Sequence, residues 1–324
     1  MRPAFELLKL FLVVLFAGIH ATANAQTYPT NTIRMVVPFT AGGGVDILAR
    51  LVAERLRERW GQPVLVENRP GASGVIGTDY VAKATPDGHT LLMGYDGTLV
   101  ISPLLGKVPF DTLRDLAPVT KVTDVPLIIV AHPSFQANSI RELISLAKAK
   151  PGQLNYSSSG TGSTPHMVGE LIESLAGIDM LHVPYKGGSA ALIDTLGGQM
   201  QLLFIAVPPV QSYVTQGRLK AIAVTTAKRT SALPNVPTVA ESGLSGFDVP
   251  TWFGIMAPKG TPRPIVLKIQ QEVASIITIP AVKERFATLG FEPVGNTPDE
   301  FEAQIKADIA RWSKVVAQAN IKTN

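Results

Sequence analysis

From Asn31 onward, short apolar runs alternate with stretches in which apolar residues recur every three or four positions. The runs Ile33 to Val37, Val64 to Glu67 and Thr90 to Met93 lack period-two polarity, the pattern of strands buried on both faces of a parallel sheet. Between the first two, Val45, Leu48, Ala49, Val52, Leu56 and Trp60 share one helical face, and Arg55, Arg57, Glu58 and Arg59 supply its solvated side. A second helix is expected from about Val75 to Ala84, after the turn-rich Asn68-Arg69-Pro70-Gly71-Ala72-Ser73-Gly74 and before Pro86-Asp87-Gly88 stops it. The resulting β-α-β-α-β order predicts a doubly wound α/β layer.

The pattern then moves into a second lobe. Leu116 to His132 is strand-rich and broken by Pro118 and Pro126, which marks a crossing. Helices at Ile140 to Lys150, Pro165 to Ala176 and Ala190 to Leu196 alternate with strands at Leu154, Met180 to Val183 and Gln201 to Ala206. A β-like run, Leu219 to Thr225, leads into the proline-rich Leu233-Pro234-Asn235-Val236-Pro237, which marks the return. Helices near Ile265 to Ile277 and Pro298 to Ala319 are expected back on the first lobe. The expected fold class is therefore α/β and two-lobed: 26–124 with 229–324 as lobe one, 125–228 as lobe two, and two crossing strands forming a hinged clamshell.

The N-terminus bears on location. Arg2 and Lys9 precede the apolar run Leu10 to Ile19, and the small residues Ala23-Asn24-Ala25 follow it, so residues 1–25 read as a secretory signal peptide. The run is shorter than the roughly 20 residues that span a membrane. With no cysteine in the chain, disulfides, thiolate metal sites and cysteine nucleophiles are excluded, and a soluble, periplasmic protein cleaved near Ala25 is expected. The formal charge of +4 is spread along the chain without a basic cluster interleaved with aromatics, so no nucleic-acid partner is expected.

Candidate chemistry lies in a device used twice, an apolar run followed by a Gly/Ser-rich loop and a helix start. The first loop is Thr40-Ala41-Gly42-Gly43-Gly44; the second is Ser157-Ser158-Ser159-Gly160-Thr161-Gly162-Ser163, before Thr164-Pro165. Free N–H groups and the positive helix end suit an oxyanion such as a carboxylate. The glycines serve equally well as turn punctuation, and Thr164 is the expected cap of the second helix, with His166 just inside it. Neither loop fits a dinucleotide or P-loop fingerprint, and Gly160-Thr161-Gly162-Ser163-Thr164 lacks the Gly-x-Ser-x-Gly elbow. His89, His132, His166 and His182 show no metal-site spacing, so no catalytic residue, metal or cofactor is assigned.

Several blocks in one order resemble the Bug-type extracytoplasmic solute receptors of tripartite tricarboxylate transporters. They are Pro38 to Asp46, Glu67 to Gly74, Ala84 to Gly88, Asn155 to His166, His182 to Gly187 and Leu233 to Thr238. The resemblance implies a type II-like periplasmic binding fold that presents a small organic acid to one large and one small membrane subunit. Carried over by position, Phe39, Thr40, Ala41, Gly42, Gly43 and Asp46 form the lobe-one wall. Ser158, Gly160, Thr161, Ser163 and His166 face them, with Tyr185 at the edge. Two departures stand out: Asp96 replaces a small hydroxylic residue, and Ile205-Ala206 replaces Asp and a polar residue. If Asp96 lines the cleft, it would repel a second ligand carboxylate while Ile205 makes the far wall apolar, so the expected ligand has one carboxylate or none and an apolar body. The alternative for Asp96 is a turn cap or a solvent-facing position. A monomeric transport receptor is the leading expectation; an exported α/β enzyme and a ligand-presenting subunit of a membrane sensor are the others.

Overall fold

The computed structural model describes residues 28–319; the expected signal peptide lies outside them. The chain runs β1 (Ile33–Val37), α1 (Gly44–Trp60), β2 (Val64–Asn68), α2 (Val75–Ala82), β3 (Thr90–Tyr95) and, after one wide helical turn over Gly97–Ile101, α3 (Ser102–Leu105). Next come β4 (Leu116–Val125), β5 (Leu127–Ala131), α4 (Ile140–Ala149), β6 (Asn155–Ser158), α5 (Thr164–Ala176), β7 (Leu181–Pro184) and α6 (Gly188–Leu196). The remainder is β8 (Leu202–Ala206), α7 (Gln211–Thr215), β9 (Lys220–Val224), β10 (Thr251–Pro258), α8 (Arg263–Ile277), α9 (Pro280–Leu289), β11 (Glu292–Pro293) and α10 (Pro298–Ala319).

Two mixed sheets organise these elements into a two-lobed α/β fold. The first has the order β11-β4-β10-β3-β1-β2, and the second β7-β6-β8-β5-β9. In the first, β1 runs parallel to β2 and β3, while β10 enters antiparallel between β3 and β4. Every residue of β10 is buried, which its sequence Thr-Trp-Phe-Gly-Ile-Met-Ala-Pro explains: a central strand needs apolar side chains on both faces. Pro118 does not break the chain here as its lack of an N–H would suggest. It sits within β4 opposite Met256, beside a register shift between Ile255 and Met256, and such an irregularity is where a strand tolerates proline.

Pro126 separates β4 of the first sheet from β5 of the second. The return, residues 225–250, carries only the isolated bridge from Val224 to Thr238 and is pinned by Thr225, whose hydroxyl donates to the Val249 carbonyl at 2.7 Å. Leu233 and Val236 pack into the apolar cluster of the second sheet with Ile128, Leu203 and Ile205. The C-terminal ends of β1, β3 and β8 and the beginnings of β5 and β10 therefore face one cleft, where ligands of open α/β sheets gather.

Candidate functional site

After β1 the chain turns through Pro38 to Gly43 and enters α1 at Gly44, with Gly43 as a cap that has no side chain to offer. Gly42 takes φ +82°, a conformation that favours glycine. The loop is held from below by Asp46, which is buried. Its Oδ2 accepts from the Gly42 N–H and the Arg50 Nε–H, both at 2.9 Å, and its Oδ1 accepts from Asn68 Nδ2 at 2.9 Å. The same Asn68 amide donates to the Phe39 carbonyl at 3.0 Å. Burial alone would raise the Asp46 carboxyl; the bonds from Arg50, Gly42 and Asn68 outweigh it and hold the group below the usual aspartate value. Asp46 is thus the brace of the loop and is not part of the cavity lining, and the exposed Ala41 and Gly42 lie outside the lining as well. The N–H groups of Gly44 and Val45 have no acceptor among the described residues, and both residues line the cavity.

The second loop is arranged differently from the sequence-based expectation. Ser163, rather than Thr164, caps α5, its Oγ accepting from the His166 N–H at 3.3 Å. Several backbone donors of this loop are already engaged. Gly162 N–H donates to His166 Nδ1 at 3.1 Å, Ser163 N–H to the Gly160 carbonyl at 3.1 Å, and Thr164 N–H to Tyr95 Oη at 2.6 Å. His166 is buried, stacked on His182 with ring centroids 4.0 Å apart, and its Nε2 lies 3.3 Å from Glu170. Of this segment Ser159 and Pro165 line the cavity, and Ser158, Gly160, Thr161, Ser163 and His166 are not among the lining residues.

The helix end that opens on the cleft from lobe two is that of α6. Its cap, Gly187, has no side chain, Gly188 lines the cavity, and the N–H groups of Gly188 and Ser189 have no acceptor among the described residues. Thr40, also outside the lining, reaches across to it, with its Oγ1 2.7 Å from Ser189 Oγ. Tyr185 turns away from the cavity, its hydroxyl donating to Asp194 Oδ2 at 2.5 Å while the ring packs on the core of the second sheet. The signal for this third loop was Lys186-Gly187-Gly188, a glycine pair before an apolar helical stretch.

Between the walls lies a small cavity, part of it open to solvent. Phe39, Tyr95 and Phe253 line one side as an aromatic set, with Tyr95 meeting Phe39 edge-on at 5.4 Å and Phe253 at 6.0 Å. Leu127, Ile205 and Ala206 line the other, and no charged side chain is among the lining residues. The lobes touch directly: besides Thr40 and Ser189, Ser73 Oγ donates to the Thr161 carbonyl at 2.5 Å, and Tyr95 and Asp96 both hold Thr164. Asp96 neither lines the cavity nor faces solvent. It is 2% exposed, caps the turn after β3 by accepting from the Gly97 N–H, and accepts from the hydroxyls of Thr164 at 2.8 Å and of Thr251. Burial pushes its carboxyl up to about 7, against the opposing pull of the Thr251 and Thr164 hydroxyls. Burial likewise pushes the Tyr95 phenol above its ordinary value, so that it remains neutral.

One pair resembles a nucleophile and its base, since Ser158 Oγ lies 2.7 Å from His182 Nε2. Ser158 is fully buried and is not among the cavity-lining residues, and burial with the neighbouring His166 lowers His182 to about 3. Among the described residues, no group of three or more His, Cys, Asp or Glu side chains is placed to hold a metal ion, and no single helix is long and apolar enough to cross a membrane.

The family model "Tripartite tricarboxylate transporter family receptor" matches residues 48–321. Protein BugT of Bordetella pertussis is 39% identical over 308 residues, covering 94% of each chain. A solved structure of periplasmic binding protein BugD superposes with a TM-score of 0.87 at 37% identity, covering 92% of this chain and 100% of that one. An adipate-bound protein of R. palustris gives 0.89 at 37% identity, covering 91% and 99%. MatC of Rhodopseudomonas palustris, with bound malate, gives 0.85 at 32% identity, covering 89% and 100%. The family model spans most of the chain, the fold is shared with the solute-binding members, and this chain accordingly belongs to the Bug-type receptors of the tripartite tricarboxylate transporter family.

Proposed function

We propose that this protein is a periplasmic receptor that encloses a small organic carboxylate between its lobes and delivers it to the large and small membrane subunits of a tripartite transporter. The observation that carries this reading is the opposition of two helix N-termini, α1 at Gly44–Val45 and α6 at Gly188–Ser189, across a cavity lined by no charged side chain. Each end offers unpaired N–H donors and the positive pole of its helix, worth about 0.3–1 kcal/mol to an anion when exposed and up to ~2 kcal/mol when partly buried. A carboxylate with an oxygen toward each helix satisfies both ends at once, and it links the lobes as it does so. The adipate and malate found in two relatives support an organic acid as cargo. Binding of this kind needs no bond-making group, in keeping with the full burial of Ser158 beside His182.

A thermal-shift screen of the exported chain against mono-, di- and tricarboxylates, amino acids and amides tests the proposal. A ligand at 100 times its Kd stabilises the folded state by about 2.7 kcal/mol, or about 4 °C for a chain of this size. The expected result is saturable stabilisation by a carboxylate that is recovered chemically intact. Stabilisation only by uncharged compounds, or conversion of the bound acid, would overturn it.

A further inference from the structure

The α1 and α6 ends account for only part of the donors around the cavity. Two more belong to the lining residues Tyr95 and Ser159. A phenol has one proton to give and an oxygen that can accept. The Tyr95 oxygen accepts the Thr164 N–H at 2.6 Å, and the Ser159 hydroxyl also acts on it as a donor. Both contacts use the oxygen as an acceptor, so the phenol proton is left over, and no acceptor for it is found among the described residues. The side chain is 4% exposed and meets Phe39 edge-on, and its tip lies between Ser159 and Thr164, beside the cavity-lining Ser159 and Pro165 of lobe two. The Ser159 N–H likewise has no acceptor among the described residues. A buried donor left unpaired is costly, which makes the occupant of the cavity its natural partner.

Resting on the receptor reading above, we infer that Tyr95 touches the cargo and sets its specificity: the Tyr95 O–H, with the Ser159 N–H, forms a second donor pair that takes an oxygen acceptor on the body of the acid, a carbonyl or a second carboxylate, separate from the carboxylate at the α1 and α6 ends. Thr164 supplies the first N–H of α5, so the positive end of that helix reaches the cavity through the phenol. Accepting that bond polarises the O–H and makes it a stronger donor. Phe39, Leu127, Ile205 and Phe253 surround the rest of the cargo with apolar side chains. A plain alkyl acid therefore leaves the Tyr95 O–H and the Ser159 N–H unpaired, whereas an acid with a second oxygen group satisfies them.

Calorimetric titration of the exported chain at pH 7 compares matched acids: pentanoate with 4-oxopentanoate and with glutarate, butyrate with succinate, and hexanoate with adipate. In at least one pair the acid with the second oxygen group is expected to bind at least about tenfold tighter, the order set by pairing a buried donor. The 4-oxo acid separates that hydrogen bond from added charge. Tyr95→Phe removes the proton, and the preference should fall to within about threefold, whatever the variant does to binding of the plain acid. No preference in any pair, or a preference that survives in the variant, overturns the inference and leaves the receptor reading standing. If no acid binds the wild type, the receptor reading fails together with it. Should Tyr95→Phe not fold, the wild type decides: with isotope-labelled tyrosine, the Tyr95 Cζ resonance is expected to move on saturation with the preferred acid and to stay in place with its plain partner, and equal movement with both overturns the inference.

Discussion

Replacing Asp96 with asparagine keeps an acceptor oxygen for the Thr164 and Thr251 hydroxyls and removes a titrating group that is buried without a cation beside it. The folded-state carboxyl titrates at about 7, against an ordinary value of 3.8. Across that window the unfolded chain has released the proton while the folded chain still holds it. Stability of the wild type therefore falls as pH rises from about 4 to about 7 and levels off above, by roughly 4 kcal/mol in total for this one group. The variant lacks that component. Denaturant unfolding of both proteins at intervals from pH 4.5 to pH 8.5 gives the difference in stability directly, other titrating groups cancelling. The variant should gain on the wild type by up to about 1.4 kcal/mol per pH unit below neutrality, with a plateau above it. A difference that stays constant within about 0.5 kcal/mol across the range would mean that the carboxyl titrates near its ordinary value, and would refute the reasoning.

Other substitutions probe the same architecture. A side chain at Gly44 would start 3.3 Å from the Phe253 ring and 3.4 Å from Ala206, both on the cavity lining, so Gly44→Val should weaken carboxylate binding at least about tenfold in calorimetry while the chain still folds. Ser163→Ala removes the cap of α5 and is expected to lower stability by about 1 kcal/mol in denaturant unfolding, with Ser163→Asn recovering most of it. Gly169→Ala places a methyl against the ring of buried Tyr156; despite alanine's better helix propensity, the melting temperature should fall by an amount equivalent to about 1–3 kcal/mol.

The regular elements were largely legible because their patterns are local. The face formed by Val45, Leu48, Val52 and Leu56 is that of α1, and the helix expected over Pro298 to Ala319 is α10. The helix Pro280–Leu289 escaped because it follows α8 after only two residues, where Pro280 reads as a stop although it serves as a first-turn residue. For the cavity, Phe39, Gly43 and Ile205 were readable from glycine-rich and apolar patterns at strand ends. Tyr95, Thr251 and Phe253 were not, since they meet only because β10 returns antiparallel beside β3 from more than 150 residues away. Asp46, Asp96 and His166 looked like ligand groups by residue type; their partners Asn68, Thr251 and His182 lie far off in sequence and turn them inward.

The central claim is that one carboxylate lies between the N-termini of α1 and α6, and amide chemical shifts report on that directly. With isotope-labelled protein titrated with hexanoate, the backbone amides of Gly44, Val45, Gly188 and Ser189 should show the largest saturable shifts, all fitting one Kd. Shifts centred instead on the second-lobe hollow lined by His132, Ser134 and Lys150, or on the Ser158 to Ser163 loop with these four amides unmoved, would contradict it.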